Sequence, residues 1–221
     1  MNEATFTQEA QERLKQYLNR PGYIIPDSLG SREAACSMAA INLAISSELT
    51  DDIPDCMSAV IGNWIIPVQD SMPMEMRNSP RWKAALVRAA GTGHNHEREC
   101  ADMLIDWMWT TVLPPLQPVA DDNGFGKQWH RMYEVRSIKA TNAVTSAVLT
   151  QPTRTQALAG AANASYFVGE AIRFKLIGPI VATNIARSAA SVANAGSFDV
   201  WKRFDPVGLL ERLVAVSEPS Q

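Results

Sequence analysis

ATNAVTSAVLTQPTRTQALAGAANASYFVGEAIRFKLIGPIVATNIARSAASVANA, residues 140–195, decides the fold class. Alanine is the strongest helix former because it loses no side-chain entropy on ordering, and no part of the run alternates apolar and polar residues over the length of a strand. Between Ser137 and Gly196 the charged side chains are Lys139, Arg154, Glu170, Arg173, Lys175 and Arg187. Most of this length therefore has nothing to hold it in water and must be covered by the rest of the protein or by a partner. Gly178-Pro179 and Asn194 to Gly196 break the pattern, which predicts helices over 127–149, 153–177 and 179–195. Ala140-Thr141-Asn142 with Ser146-Ala147 recurs as Ala182-Thr183-Asn184 with Ser188-Ala189. That spacing fits a two-helix repeat unit and offers helical-repeat character in the C-terminal half as an alternative, but in a run so rich in alanine coincidence is the preferred account of two matches.

The helical period continues toward the N-terminus. Thr5 or Thr7 caps a helix that runs to Leu18 and stops at Pro21-Gly22. Ser31 is the expected cap of a second helix to about Ser47, with Ala34, Met38, Ile41 and Ile45 on one face. Glu48, Asp51, Asp52 and Asp55 precede a third helix, where carboxylates complement the dipole. Pro54 suits its first turn, and Pro67 predicts a kink or break near Trp64. Ser79-Pro80 opens a fourth helix, which Gly91 closes in a left-handed conformation. A fifth covers 96–113 with Cys100, Met103, Leu104, Trp107 and Met108 inward, ended by Pro114-Pro115. Residues 121–126 read as a polar loop. Asp205 caps a last helix with Pro206 in its first turn, running to Val216. The expectation is an all-α, multi-helix bundle of eight or nine helices. It forms one domain over 1–221, with subdivision into 1–120 and 126–216 as the alternative.

The chain has 221 residues, 46% hydrophobic and 19% charged, enough to bury a core without a disulfide, metal or cofactor; no cofactor is expected. A net charge of -3 gives no general electrostatic reason to bind nucleic acid. The longest apolar runs fall far below the ~20 residues of a membrane helix, so no membrane partner is expected. The opening MNEATFTQEAQERLKQYL lacks the apolar centre of a signal peptide. Cys36, Cys56 and Cys100 are odd in number and embedded in helical patterns, as buried reduced thiols are. The expected location is cytoplasmic.

Chemistry is densest in GHNHEREC, residues 93–100. A metal site needs several N, O or S ligands converging on one point. A helix beginning near Asn95 puts His96 and Glu99 on one face, with His94 and Glu97 beside them and His130 able to approach from a later helix. Such a set would suit a metal-dependent, hydrolase-like enzyme in which the metal activates water. The paired Glu-x-x-His motif of di-metal bundles is not there, since the order is His-x-x-Glu and occurs once. A plainer account is preferred: Thr92 or Asn95 caps the helix, Glu97 and Glu99 complement its dipole, and Cys100 joins Leu104 and Trp107 in the core. No nucleophile elbow or phosphate-binding glycine loop is present. Arg131, Arg136, Lys139, Lys202 and Arg203 stand near Trp129, Tyr133, Trp201 and Phe204 and could stack on bases and contact phosphates. Helix faces with buried aromatics and snorkelling cations explain them as well.

The stretch SREAACSMAAINLAI (31–45), the run LTDDIPDCMSAVIGNWIIPVQDSMP (49–73), RWKAALVRAAGTG (81–93), the alanine-rich half and the closing DPVGLLERLVAV (205–216) together resemble uncharacterised alanine-rich helical proteins of bacteria and their phages. The resemblance implies a bacterial, phage or mobile-element setting in the cytoplasm and carries no functional residues. The expected function is binding through protein–protein contact. Ala182, Ala186, Ala189, Ala190 and Ala193 form a face that a second helix can approach closely. A homo-oligomer is the first partner considered and another protein the second, with metal-dependent hydrolysis and nucleic-acid binding as rivals.

Overall fold

The computed structural model describes residues 6–152, 155–195 and 199–217. Their regular structure is helical throughout, apart from one isolated bridge between Gly30 and Ala35. Thirteen α-helices occur among the described residues: α1 Gln8–Asn19, α2 Ser37–Ile45, α3 Ala59–Ser71, α4 Met74–Arg77, α5 Pro80–Ala89, α6 Glu97–Trp107, α7 Gln117–Asp122, α8 Gly126–Val135, α9 Ile138–Leu149, α10 Gln156–Arg173, α11 Gly178–Ala195, α12 Asp199–Phe204 and α13 Pro206–Ser217. Eight or nine was too few. The short helices α4 and α12 fall where the sequence pattern assigns no element, α7 runs into the expected 121–126 loop, and the run 127–149 divides in two. It divides because Arg136 takes a left-handed conformation (φ 43°) and Ser137 then caps α9, its hydroxyl accepting from the Ala140 amide.

The chain forms two compact units, Met1–Cys100 with Pro206–Gln221 and Ala101–Asp205. In the first unit, Leu14 and Leu18 of α1, Met38 and Ile41 of α2, Trp64 and Ile65 of α3, Trp82 and Leu86 of α5 and Leu209, Leu210 and Leu213 of α13 make the core. Local signals set several ends. Thr7 caps α1 and Ser79 caps α5, each accepting from the amide three residues on, while Thr5 lies outside the described residues.

Tertiary partners overrule other local signals. Ser31 closes a tight turn, accepting from the Glu33 and Ala34 amides, and α2 begins only at Ser37 with the Cys36 sulfur as its cap. Pro54 also sits in a turn, accepting from Met57, and Ser58 caps α3. Pro67 does not end α3, which continues to Ser71. A proline inside a helix costs roughly 3 kcal/mol; the complete burial of Trp64, Ile65 and Val68 around it offsets that. The left-handed glycine after α5 is Gly93 (φ 58°) rather than Gly91.

The second unit begins within α6, which passes into a π-helical turn at Met108–Val112 and a 3-10 turn at Pro114–Leu116. Its main layer is α9, α10 and α11 packed antiparallel. Thr145 and Ser165 share a hydroxyl–hydroxyl bond of 2.8 Å between α9 and α10, and Ser188 donates to the Ala164 carbonyl between α11 and α10. Small residues make this closeness feasible: a Cβ on Gly169 would lie 2.8 Å from the Thr141 hydroxyl. The Ala-Thr-Asn echo does not place equal residues in equal surroundings, since Asn142 and Ser146 are exposed while Asn184 and Ser188 are buried. All six tryptophans of the sequence are buried.

Candidate functional site

The residues of the 93–100 segment divide between two tasks, neither of which gathers them on one point. Glu97, at the start of α6, turns its carboxylate onto the first turn of α3 and accepts from the Ala59 amide at 2.7 Å and the Val60 amide at 2.9 Å. It therefore complements the dipole of another helix. The Thr92 hydroxyl adds a third tie to the same turn by accepting from the Ser58 amide at 2.9 Å. His94 braces Glu97, with Nδ1 3.1 Å from its carboxylate and Nε2 2.8 Å from the Asp55 carbonyl. Both ring nitrogens face acceptors, so both contacts are hydrogen bonds only in the imidazolium. The Glu97 hydrogen bond raises the His94 pKa above its ordinary value, burial opposes it, and the Asp55 carbonyl adds to the rise.

The other members of the sequence-derived set lie apart. His96 is half-buried and Glu99 is exposed. His130 belongs to the second unit, where Nε2 faces Glu134 at 3.5 Å on α8. Among the described residues no three or more His, Cys, Asp or Glu side chains are grouped as a metal ion requires. All three thiols are buried and unpaired, and burial raises the pKa of each. Cys100 lies 3.8 Å from the Leu213 carbonyl.

The alanine face of α11 is occupied within the chain. Ala182, Ala186, Ala189 and Ala193 are buried, and Ala190 is half-buried. Of the cations singled out for nucleic acid, Arg136 folds over the Trp109 ring at 5.2 Å and bonds the Tyr133 carbonyl, while Lys202 and Arg203 sit on α12. Arg131 and Lys139 both line one cleft between α8 and α9.

An apolar surface takes shape at one end of the α9–α10–α11 layer. The antiparallel pairing brings the start of α9, the end of α10 and the start of α11 to the same end. Leu176 in the α10–α11 turn is 89% exposed, Ile177 48% and Ile180 38%. Ile138 and Val135, at the start of α9 and the end of α8, are exposed as well. Five large apolar side chains in water at one end of a unit call for a cover. The chain matches no protein family, no curated protein and no solved structure. The site rests on its own chemistry. Sequence reasoning passed over these residues because Lys175-Leu176-Ile177-Gly178-Pro179 reads first as a turn; the signal was two aliphatic residues where a solvated turn carries polar ones.

Proposed function

We propose that the protein works by protein–protein contact through the apolar end of the α9–α10–α11 layer, with a second copy of the chain as its first partner and another protein as the alternative. The observation that carries this reading is the exposure of Leu176 with Ile177 and Ile180. The alanine face of α11 suits close contact within a chain or between chains, and here Ala182, Ala186, Ala189 and Ala193 are buried inside the chain while Ala190 is half-buried. At ~25 cal/mol per Å² of apolar surface removed from water, covering several aliphatic side chains of this size contributes several kcal/mol before the loss of translational and rotational freedom is counted.

Mass in solution tests the reading. Wild type is expected as an oligomer at tens of micromolar, and Leu176→Ser with Ile177→Ser as a monomer with an unchanged helical spectrum. A wild-type chain that stays monomeric over that range removes the self-association reading.

A further inference from the structure

We propose that the cleft between α8 and α9 binds a small phosphate monoester, with Arg131 and Lys139 as the anion-binding pair. This site adjoins the apolar end, sharing Val135 with it, but it rests on its two cations and not on association of copies of the chain. The cleft measures about 210 Å³ and is lined by Gln128, Arg131, Val135, Ser137, Lys139, Ala140 and Ala143. Its two cations come from different helices, and neither has an ion pair or hydrogen bond among the described residues, whereas the neighbouring Glu134 is engaged with His130.

Two cations that line one small concavity and form no ion pair among the described residues suit a dianion. A phosphate monoester carries about −1.5 to −2 at neutral pH and presents three strong acceptor oxygens, which a carboxylate or a phosphodiester, with one charge each, does not match. The Arg131 guanidinium offers a fork that binds two phosphate oxygens at once, and the Lys139 ammonium supplies a compact charge. Gln128 adds amide donors. Ser137 accepts from the Ala140 amide, which leaves its hydroxyl proton for a ligand. Val135, Ala140 and Ala143 form an apolar wall for a short carbon stem. The volume lies below the ~300 Å³ at which pockets for drug-sized ligands begin, so the monoester is small. A polynucleotide fits less well, because the nearby Arg136 is committed to Trp109 and the Tyr133 carbonyl.

Calorimetric titration of the intact protein with phenyl phosphate at pH 7.5 is the test. Saturable binding of one ligand per chain is expected, with inorganic phosphate weaker for want of a stem, and benzoate and dimethyl phosphate weaker for want of charge. Arg131→Gln and Lys139→Gln should each lower the affinity about tenfold or more, as loss of a charged hydrogen bond does, while Lys127→Gln, an exposed cation of α8 outside the cleft, should leave it unchanged. All three positions are exposed, so the fold persists, as circular dichroism will check. Four results would overturn the proposal: no saturable binding, equal losses in Lys127→Gln and Arg131→Gln, tighter binding of a short oligothymidylate with loss in Arg136→Gln, or tighter binding of a phosphoserine tripeptide.

Discussion

Glu97 shows how one side chain serves two parts of the chain. The exposed amides at a helix start favour negative charge, and α3 draws its carboxylate from 38 residues away although Glu48, Asp51, Asp52 and Asp55 lie much nearer in sequence. Glu97→Ala leaves the Ala59 and Val60 amides without their acceptor and should lower stability by about 1–3 kcal/mol in thermal melts, with Glu97→Gln losing less because it keeps one carbonyl. The brace on Glu97 depends on pH. His94 has a raised pKa in the folded chain and so binds its proton more tightly there than when unfolded. Its contribution is complete below the unfolded value of about 6.5 and is lost as pH rises through the raised value. The ring is more than half exposed, so solvent screening keeps the effect on stability small. An NMR titration of the His94 ring should show a midpoint above that of His94 in Glu97→Gln, and equal midpoints would remove the brace.

Individual helices separate what sequence can reveal from what it cannot. The caps at Thr7 and Ser79 and the start of α13 at Pro206 were legible because each depends on a few adjacent residues, although Asp205 itself takes a left-handed backbone (φ 43°). The ends expected at Ser31, Pro54 and Pro67 were not, because distant groups decide them: Ser37 donates its amide to Gln69, Glu97 meets α3, and a buried aromatic and aliphatic face carries α3 through its proline. The alanine run was read correctly as close-packing helix, yet alanine alone cannot say whether the neighbour belongs to the same chain. Here α10 is that neighbour. The consequence is a contrast between two positions about one turn apart on α11. Ala186 is fully buried and Ala190 half-buried, so Ala186→Leu should lose about 1–3 kcal/mol to overpacking, whereas Ala190→Leu should stay within about 0.5 kcal/mol of wild type. Similar losses at both sites in chemical denaturation would contradict this packing.

Across the whole molecule, the first unit closes only when the chain returns to it. Residues 101–205 fold as the second unit, and α13 then completes the core begun by α1, α2, α3 and α5. No sequence pattern announced that return, since the apolar stripe of α13 names no partner. Closing a long loop adds entropy cost only slowly with its length, so the returning helix needs a few well-buried side chains rather than many contacts. Leu213 is such a residue, fully buried, whereas Glu211 on the same helix makes an exposed pair with Arg81 at 2.6 Å. Arg81 holds the Glu211 pKa below its ordinary value, but an exposed ion pair contributes only about 0–1 kcal/mol. Leu213→Ala should therefore lower stability by about 2–5 kcal/mol and Glu211→Ala by less than about 1 kcal/mol. Hydrogen exchange locates the effect: in Leu213→Ala, protection should fall in α1, α2, α3 and α5 as well as in α13, because they share one core. Loss confined to α13 would mean that the helix docks on a unit already complete without it.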